Sequence, residues 1–349
     1  MTVNFSLKPK NKTAYLMKNV FFIIALFTTV CVPGKTRSAF SLSGTTDEIK
    51  NGTVLYLKDN YTKKLIDSAI VNNNRFYFKT YLQQTPMLAS LYTKDKSRYH
   101  LLWLENKPMI FEQNGRDFSN AQVNGSDSQN LYQSLHEEID RLPREENFRR
   151  AMEFVESNPN SIVSAMTLSL YSTSWGKEKT KQLFDLFSEE NKSTGYGRRV
   201  QKYIDLNANP EIGEKFVDFS MPDTQGNIEK LSNQKGKLVL LEFWASWCRP
   251  CRAENPELVK TYSRFNPKGF EIVAISIDDD KEDWLNAIEE DNLNWKHLSD
   301  LSGKGNSAAL IYGVQGVPSN FLIDKDGTII GKNLRGEKLN ETLNLLLNE

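Results

Sequence analysis

Cysteine and histidine are scarce in this chain of 349 residues, which contains three of each. Cys31 lies near the N-terminus, so Cys248 and Cys251 are the two cysteines in the rest of the chain. A zinc site needs four ligands, typically from two pairs of cysteine or histidine. No second pair follows Cys251 at the usual spacing, and His297 stands alone. We therefore expect no metal site.

The chain also lacks an excess of charge of either sign, with 44 Lys and Arg against 44 Asp and Glu. This balance is an average, because residues 1–39 carry six basic side chains and no acid. The remainder has 38 basic and 44 acidic side chains, a net charge of −6. Residues 210–349 have 16 basic and 23 acidic side chains, a net charge of −7. Nucleic-acid binding needs a basic face, so it is disfavoured.

Long apolar runs are missing as well. The run "NVFFIIALFTTVCV" follows Lys18 and ends before Pro33. It is shorter than the roughly 20 residues that span a bilayer as a helix. A basic segment followed by such a run is typical of a secretory signal peptide. Residues 1–39 are predicted to be this leader, and an uncleaved anchor is the alternative.

Two details of the leader stay open. The chain could start at Met1 or at Met17, and cleavage is expected near Ser38 or Ala39. Cys31 closes the apolar run and could carry a lipid, but the residues before it do not form a good lipobox. The favoured interpretation is an exported protein of the periplasm or cell envelope, which touches a membrane only through its leader or a lipid anchor.

Residues 40–125 are predicted to form an antiparallel β-sandwich. Short alternating runs such as "GTVLYL", "RFYFKTYL" and "YHLLWLE" are separated by turn-forming segments such as "KDN" and "VNNN". Several short strands at near-regular spacing favour a sandwich.

Residues 126–208 change to helical periodicity, in runs such as "SQNLYQSLHEEIDRL" and "KEKTKQLFDLFSEE". We expect a helical segment that bridges two domains. From residue 209 strands and helices alternate, which predicts an α/β domain with a mixed sheet over 209–349. "KLVLLEFWA" is apolar enough for a central buried strand, and "SNFLIDKDGTII" predicts a hairpin that turns at Asp326-Gly327.

The spacing of Cys248 and Cys251 favours redox chemistry. Disulfide bonding between residues so close in sequence closes almost no loop and would stabilise the fold little. A cysteine between a strand end and a helix start lies near free backbone N–H groups, which stabilise its thiolate. Cys251 follows by one helical turn and can resolve a mixed disulfide. Pro250 suits a first helical turn, and Arg249 adds a cation beside the thiolate.

The motifs "EFWASWCRPC" and "GVQGVPSNFLID" are similar to the thioredoxin superfamily, and in particular to its exported TlpA-like and ResA-like thiol-disulfide oxidoreductases. The lead-in "IGEKFVDFSMPDTQGNIEKLSNQKGKLVLL" matches the same branch, and the likeness covers about residues 210–349. The phrases "FSLSGTTDEIKNGTVLYL" and "LLWLENKPMIFEQ" resemble a domain of unknown function found ahead of such modules in Bacteroidetes envelope proteins.

The resemblance implies roles for five further residues. Val317 and Pro318 match the cis-proline position, where the backbone of Val317 is expected to pair with an incoming polypeptide. Trp247 is expected at the rim of the substrate-binding site. Glu242 matches a proton-handling acid, and a carboxylate inside "LVLLEFWA" is costly without such a task. Glu254 matches a glutamate that tunes the active site, and it could equally be an exposed first-turn acid.

The function expected from these residues is the reduction of protein disulfides in the envelope by a Cys248/Cys251 dithiol cycle, with no cofactor beyond the redox-active disulfide. The partners would be disulfide-containing envelope proteins and a membrane electron donor, since no domain here brings electrons from the cytoplasm. The resemblance suggests cytochrome c maturation as one client pathway.

Three alternatives remain. A disulfide oxidase or isomerase would run the same chemistry from the oxidised state, and the reduction potential decides between them. A thiol peroxidase would want a threonine where this chain has Ala245. A third hypothesis, of a different class, is a binding module in which the sandwich recognises an envelope partner and the redox domain is accessory.

Overall fold

The structure is a computed structural model that describes residues 39–347. The expectations for residues 1–38, including a lipid on Cys31, lie outside these described residues. None of the helices found between residues 39 and 347 is both long and apolar enough to cross a membrane.

The N-terminal region forms two four-stranded sheets whose inner faces share one apolar core, to which residues such as Leu42, Leu57 and Phe78 contribute. One sheet has the order β4-β1-β7-β8 and the other the order β3-β2-β5-β6. The strands are β1 (Phe40–Thr45), β2 (Val54–Asp59), β3 (Leu65–Ile70), β4 (Arg75–Thr80), β5 (Met87–Thr93), β6 (Tyr99–Leu104), β7 (Pro108–Glu112) and β8 (Gln122–Asn124).

The predicted sandwich is confirmed, but its expected antiparallel pairing is wrong at one place. Strand β1 is antiparallel to β4 and parallel to β7. Between β1 and β7 the chain crosses twice to the opposite sheet, for β2–β3 and for β5–β6, and this gives the long connection that a parallel pair requires. Alternating hydrophobicity indicates which face of a strand is buried and carries no information on the direction of its neighbour.

A helical segment follows, as expected. Its helices are α1 (Asp127–Ile139), α2 (Arg144–Ser157), α3 (Ile162–Trp175), α4 (Lys177–Asp185), α5 (Glu189–Ser193) and α6 (Gly195–Leu206). Helix α1 is capped by Ser126, whose hydroxyl accepts a hydrogen bond from the N–H of Gln129. Helix α6 lies within the segment predicted to be helical, although it opens with "GYG" and glycine is a poor helix former.

The C-terminal region has a thioredoxin-like α/β fold. A five-stranded mixed sheet has the order β13-β12-β11-β14-β15, preceded by a small hairpin of β9 and β10. The elements are β9 (Ser220–Pro222), β10 (Ile228–Lys230), β11 (Leu238–Trp244), α7 (Arg249–Phe265), β12 (Phe270–Ser276), α8 (Lys281–Glu290), β13 (Lys296–Leu298), α9 (Ser307–Ile311), β14 (Ser319–Ile323), β15 (Ile329–Lys332) and α10 (Gly336–Leu347).

Strand β11 lies at the centre of this sheet, and all seven of its residues are buried. Leu238 and Leu240 face a core formed with α7 and α10, whereas Val239 and Leu241 face a second core. The strand is parallel to β12 and antiparallel to β14, so the predicted mixed sheet is confirmed. The hairpin of β14 and β15 turns at Asp326 and Gly327 as expected, with Gly327 at a φ of +85°.

The helical segment and the redox domain share a core at α9. Leu310 of α9 is 3% exposed and packs in the cluster formed by Val200, Tyr203 and Ile204 of the helical segment. The amide of Asn207 donates to the carbonyl of Leu310 at 2.8 Å. The two regions therefore bury side chains against each other.

Replacing Leu310 with alanine is expected to destabilise the protein by about 2–4 kcal/mol, because it leaves a cavity in a shared core. The matched control is Leu345→Ala, at a side chain that is 71% exposed. Thermal unfolding followed by circular dichroism should show a lower midpoint for Leu310→Ala alone. Equal midpoints for the two variants would contradict the shared core.

Candidate active site

The site is built where the chain leaves β11 and enters α7. After Trp244 the chain turns, and Cys248 becomes the N-cap of α7. The N–H of Cys251 donates to Sγ of Cys248 at 3.2 Å. A sulfur at a helix N-terminus receives both this hydrogen bond and the positive end of the helix dipole. The first cysteine is therefore placed where its thiolate is stabilised.

The two cysteines form a disulfide in this structure. Their Sγ atoms are 2.02 Å apart and their Cα atoms 5.3 Å apart. Cys248 is 4% exposed and Cys251 is 1% exposed. One helical turn thus brings the two sulfurs into bonding distance, as their spacing predicts.

The Val317-Pro318 peptide bond is cis, and both residues are half-buried. Pro318 directly precedes β14, whose first residue, Ser319, pairs with Phe243 near the end of β11. Val317 packs against the apolar cluster that contains both cysteines. The loop that contains Pro318 therefore lies at the same end of the sheet as the C-terminal end of β11, where the chain turns towards the cysteines.

Glu242 lies on β11 opposite Asn320 of β14 and is 8% exposed. Burial raises the pKa of Glu242 to about 8, although the side chain of Asn320 and the charge of Arg335 act against this rise. A carboxyl group in this position is mostly protonated at neutral pH. It also titrates close to the ordinary pKa of a thiol, so proton exchange between the two groups is nearly balanced.

A cavity of about 220 Å³ connects the acid to the second cysteine. Its wall includes Glu242, Cys251 and Glu254, so three of the predicted site residues are brought together. Glu254 on α7 is half-exposed, and its Oε2 lies 3.0 Å from Nε of Arg335. Glu254 is thus ion-paired at the cavity, and it is not merely a solvated acid on the first turn of a helix.

The remaining predicted residues lie on the outer surface. Trp247 is 59% exposed, and Arg249 and Pro250 are exposed on the first turn of α7. Pro250 causes no loss of hydrogen bonding there, because an N–H in the first turn has no partner within the helix. These exposed residues flank the buried Cys248 in the chain.

Sequence reasoning missed Asp278, a buried carboxylate two residues after the end of β12. Its oxygens accept hydrogen bonds from the N–H and Oγ of Ser246 and from Oγ of Ser276. These bonds hold the turn that precedes Cys248 against the end of β12. The sequence signal was the run "DDD" at a strand end, which resembles an exposed acidic turn.

Sequence reasoning also missed Arg335, which lies between β15 and α10. Besides its ion pair with Glu254, it donates from Nη2 to the carbonyl oxygen of Pro318 at 2.5 Å. No periodicity or motif marks such a residue in the sequence, because its partners lie far away along the chain.

His297 has a structural environment. It is 4% exposed, and burial lowers its pKa to about 4, so the ring is neutral at pH 7. Its Nε2 faces the carbonyl oxygen of Leu293 at 3.2 Å. Over residues 39–347 no group of three or more His, Cys, Asp or Glu side chains could hold a metal ion.

A cysteine pair at a helix start, an adjacent cis-proline and a buried acid on a mixed sheet define a thiol-disulfide oxidoreductase of thioredoxin-like fold. Residues 212–332 match the model of the AhpC/TSA family, and residues 40–132 match a domain of unknown function, DUF4369. The chain is 35% identical over 143 residues to thiol-disulfide oxidoreductase ResA of Bacillus cereus, which covers 41% of this chain and 80% of that protein. The chain belongs to the ResA-like family of thiol-disulfide oxidoreductases.

Further relatives carry similar names. ResA of Bacillus subtilis is 33% identical over 118 residues, covering 34% of this chain and 64% of its own. Solved structures that match part of this chain include two from Bacteroides. The thioredoxin domain of a thiol-disulfide oxidoreductase from Bacteroides vulgatus is 37% identical and covers 40% of this chain and 99% of its own, with a TM-score of 0.38. A thiol-disulfide oxidoreductase from Bacteroides fragilis is 33% identical. It covers 38% of this chain and 100% of its own, with a TM-score of 0.37.

Replacing Glu242 with glutamine is expected to stabilise the oxidised protein increasingly as the pH rises from about 5 to 8. In this range the folded carboxyl keeps a proton that the unfolded chain releases, so the free energy of unfolding of the unchanged protein falls with pH. The fall is at most about 1.4 kcal/mol per pH unit, and glutamine removes it.

Thermal midpoints between pH 5 and 9 test this expectation, with Glu341→Gln as the control at an exposed acid of α10. The difference between Glu242→Gln and the unchanged protein should grow up to about pH 8 and then level off. A difference that is constant with pH would show that Glu242 does not titrate in this range.

Proposed function

We propose that this protein reduces disulfides of envelope proteins, with Cys248 as the attacking thiol and Cys251 as the resolving thiol. The observation that carries this proposal is the position of Cys248, whose Sγ accepts the N–H of Cys251 at the first turn of α7. The attacking species is the thiolate, and this position stabilises it.

The cycle starts from the reduced dithiol. The thiolate of Cys248 attacks one sulfur of a client disulfide, and the other client sulfur leaves as a thiolate. Cys251 then gives its proton to the carboxylate of Glu242 and attacks Sγ of Cys248. The client leaves with both sulfurs reduced, and the enzyme keeps the disulfide. Two electrons have passed to the client, so an external dithiol must restore the enzyme.

Glu242 suits the role of base because it shares a cavity with Cys251 and its pKa of about 8 is close to the ordinary pKa of a thiol. A base works best when its pKa is close to that of the group it deprotonates and to the working pH. Glu254 lines the same cavity and adds a negative charge near Glu242. We propose that this second acid tunes the proton affinity of the first.

Val317 and Pro318 are the proposed docking strand for the client. A residue just before a strand can offer its backbone N–H and C=O to an extended peptide, which is how strands are added at open sheet edges. Trp247 is exposed in the turn that leads into α7 and would supply an apolar contact to the client. Arg249 and Pro250 complete this proposed contact surface.

The leader at residues 1–39 supports a location in the periplasm or cell envelope, reached by export. The electron source would then be a membrane-bound dithiol protein, and cytochrome c maturation is one client pathway that the family resemblance suggests. No cofactor is needed beyond the Cys248–Cys251 disulfide, because thiol-disulfide exchange carries the electrons itself.

The reduction potential of the Cys248–Cys251 couple is the first test. Equilibration of the purified protein against dithiothreitol or glutathione should give a value near or below about −250 mV, in the range of thioredoxin. A value near about −120 mV would identify an oxidase and overturn the proposed direction.

Two cysteine variants test the order of attack. Cys251→Ser should trap a mixed disulfide with a client peptide, because the resolving thiol is gone, whereas Cys248→Ser should trap none. Mass spectrometry of the covalent complex, run beside the unchanged protein, measures this. Trapping by Cys248→Ser at the same yield would reverse the assigned roles.

Residues 40–208 are a candidate for client recognition, since both the sandwich and the helical segment contact the redox domain. Lys63 forms an ion pair with Asp279 at 3.0 Å, and Arg144 donates to Gln315, three residues before Pro318, at 3.4 Å. Lys63 lies between β2 and β3 of the sandwich, and Arg144 begins α2.

Removing residues 40–208 should lower activity towards native protein clients and leave the reduction of a small disulfide unchanged. The truncated chain carries Leu310→Ser, because Leu310 loses its partners in α6, and the full chain with the same substitution is the control. Equal rates of the two chains on both substrates would remove the recognition hypothesis.

A further inference from the structure

Arg335 joins three elements of the active site through one guanidinium group. Its Nε lies 3.0 Å from Oε2 of Glu254 on α7. Its Nη2 donates to the carbonyl oxygen of Pro318, at the start of β14. Arg335 itself directly precedes α10 and lines the cavity that contains Glu242 and Cys251.

The segment that carries Arg335 is fixed to β14. The side chain of Asn320 donates from Nδ2 to the carbonyl oxygen of Leu334 and accepts the N–H of Leu334 at Oδ1, at 2.9 and 3.0 Å. The N–H of Asn333 donates to the carbonyl oxygen of Asn320. Asn320 is 2% exposed, so water does not compete for these bonds. The backbone beside Arg335 is therefore held in one place.

The charged groups that share the cavity with Glu242 come from α7 and from the start of α10. Helix α7 contributes Glu254 and Glu257 to the cavity, together with the thiol of Cys251 once the disulfide is reduced, and Arg335 approaches from the start of α10. Strand β14 offers the neutral Asn320. Among the described residues that line this cavity, Arg335 is the one cation. Its positive charge therefore opposes the negative charges of the acids in the cavity.

We propose that Arg335 is a positioning residue of the dithiol reaction, which holds Glu254 at the cavity and links the client-binding loop at Pro318 to the acids that handle the proton of Cys251. This inference rests on the proposed function of Glu242 as the base. Its charge opposes the effect of burial on Glu242. Its fork geometry allows contact with a carboxylate and a backbone carbonyl at once, which a lysine ammonium does not provide equally well.

The link has a direct consequence for the reaction. A client strand that pairs beside Pro318 acts on the same backbone to which the guanidinium is bonded. Any displacement of that carbonyl moves the positive charge relative to Glu254 and Glu242. Client binding and proton transfer from Cys251 are thereby coupled through one side chain.

The test compares Arg335→Gln and Arg335→Lys with a matched control, Arg264→Gln. Arg264 lies on α7 and, like Arg335, joins α7 to the α10 region: it donates to Asn344 at 3.0 Å, but it does not line the cavity. The first readout is the titration of the Glu242 carboxyl carbon by NMR in the oxidised protein. This titration is measured without a client, so it gives a result even if the protein reduces no client.

In Arg335→Gln the midpoint of this titration should rise by about half to one pH unit, because an opposing positive charge is lost. The rate at which Cys251 resolves a mixed disulfide, followed by stopped flow at pH 7, should fall about three- to tenfold, since less of Glu242 is ionised. Arg335→Lys should keep the titration midpoint and raise KM for a disulfide peptide more than it lowers kcat.

An unchanged titration midpoint in Arg335→Gln, with a thermal midpoint equal to that of Arg264→Gln, would overturn the inference and leave the reductase proposal intact. Equal shifts in Arg335→Gln and Arg264→Gln would also overturn it, because the effect would not be specific to the cavity. A shifted midpoint in Arg335→Gln with no reduction of any client by the unchanged protein would instead contradict the proposed function.

Discussion

The burial of β11 on both faces is the constraint on which the rest of this molecule depends. A strand covered by two cores cannot bend towards solvent before its end, so the chain turns only after Trp244. After that turn Cys248 stands at the start of α7. The antiparallel partner β14 begins next to the end of β11, so Pro318 lies at the same end of the sheet. The same burial surrounds Glu242 with low-polarity material. The burial of β11 therefore determines both where the site residues lie and the raised pKa of Glu242.

Polar groups inside this domain are satisfied in ways that also hold the site in place. Asp278 accepts three donors from two serines, one of which precedes the reactive turn. Asn320 uses both ends of its amide on the backbone of Leu334. A buried polar group without partners costs about 1–3 kcal/mol, so such networks are retained when complete. Here each network fixes a loop that carries a proposed functional residue, Cys248 in one case and Arg335 in the other.

Much of the redox domain could be predicted from the sequence because its signals are local. The apolar run of β11, the spacing of Cys248 and Cys251 and the turn at Gly327 each need only a few neighbouring residues. The parallel pairing of β1 with β7 and the contacts of Asp278 and Arg335 could not be predicted. The pairing of β1 with β7 and the contacts of Asp278 with Ser246 and of Arg335 with Glu254 join residues that lie 32 to 81 positions apart in the chain, and no local propensity encodes such distances. The roles of Glu242 and Glu254 fall between these cases, since a costly buried acid is visible in the sequence but its cavity is not.

The near-complete burial of the disulfide has a kinetic consequence. Exchange requires an attacking sulfur to reach Cys248 or Cys251, which are 4% and 1% exposed. A small thiol makes few contacts with the surface around the disulfide, so we expect its exchange to be slow and equilibration against dithiothreitol or glutathione to take long. We expect exchange to be faster with a protein that docks on the surface around Trp247.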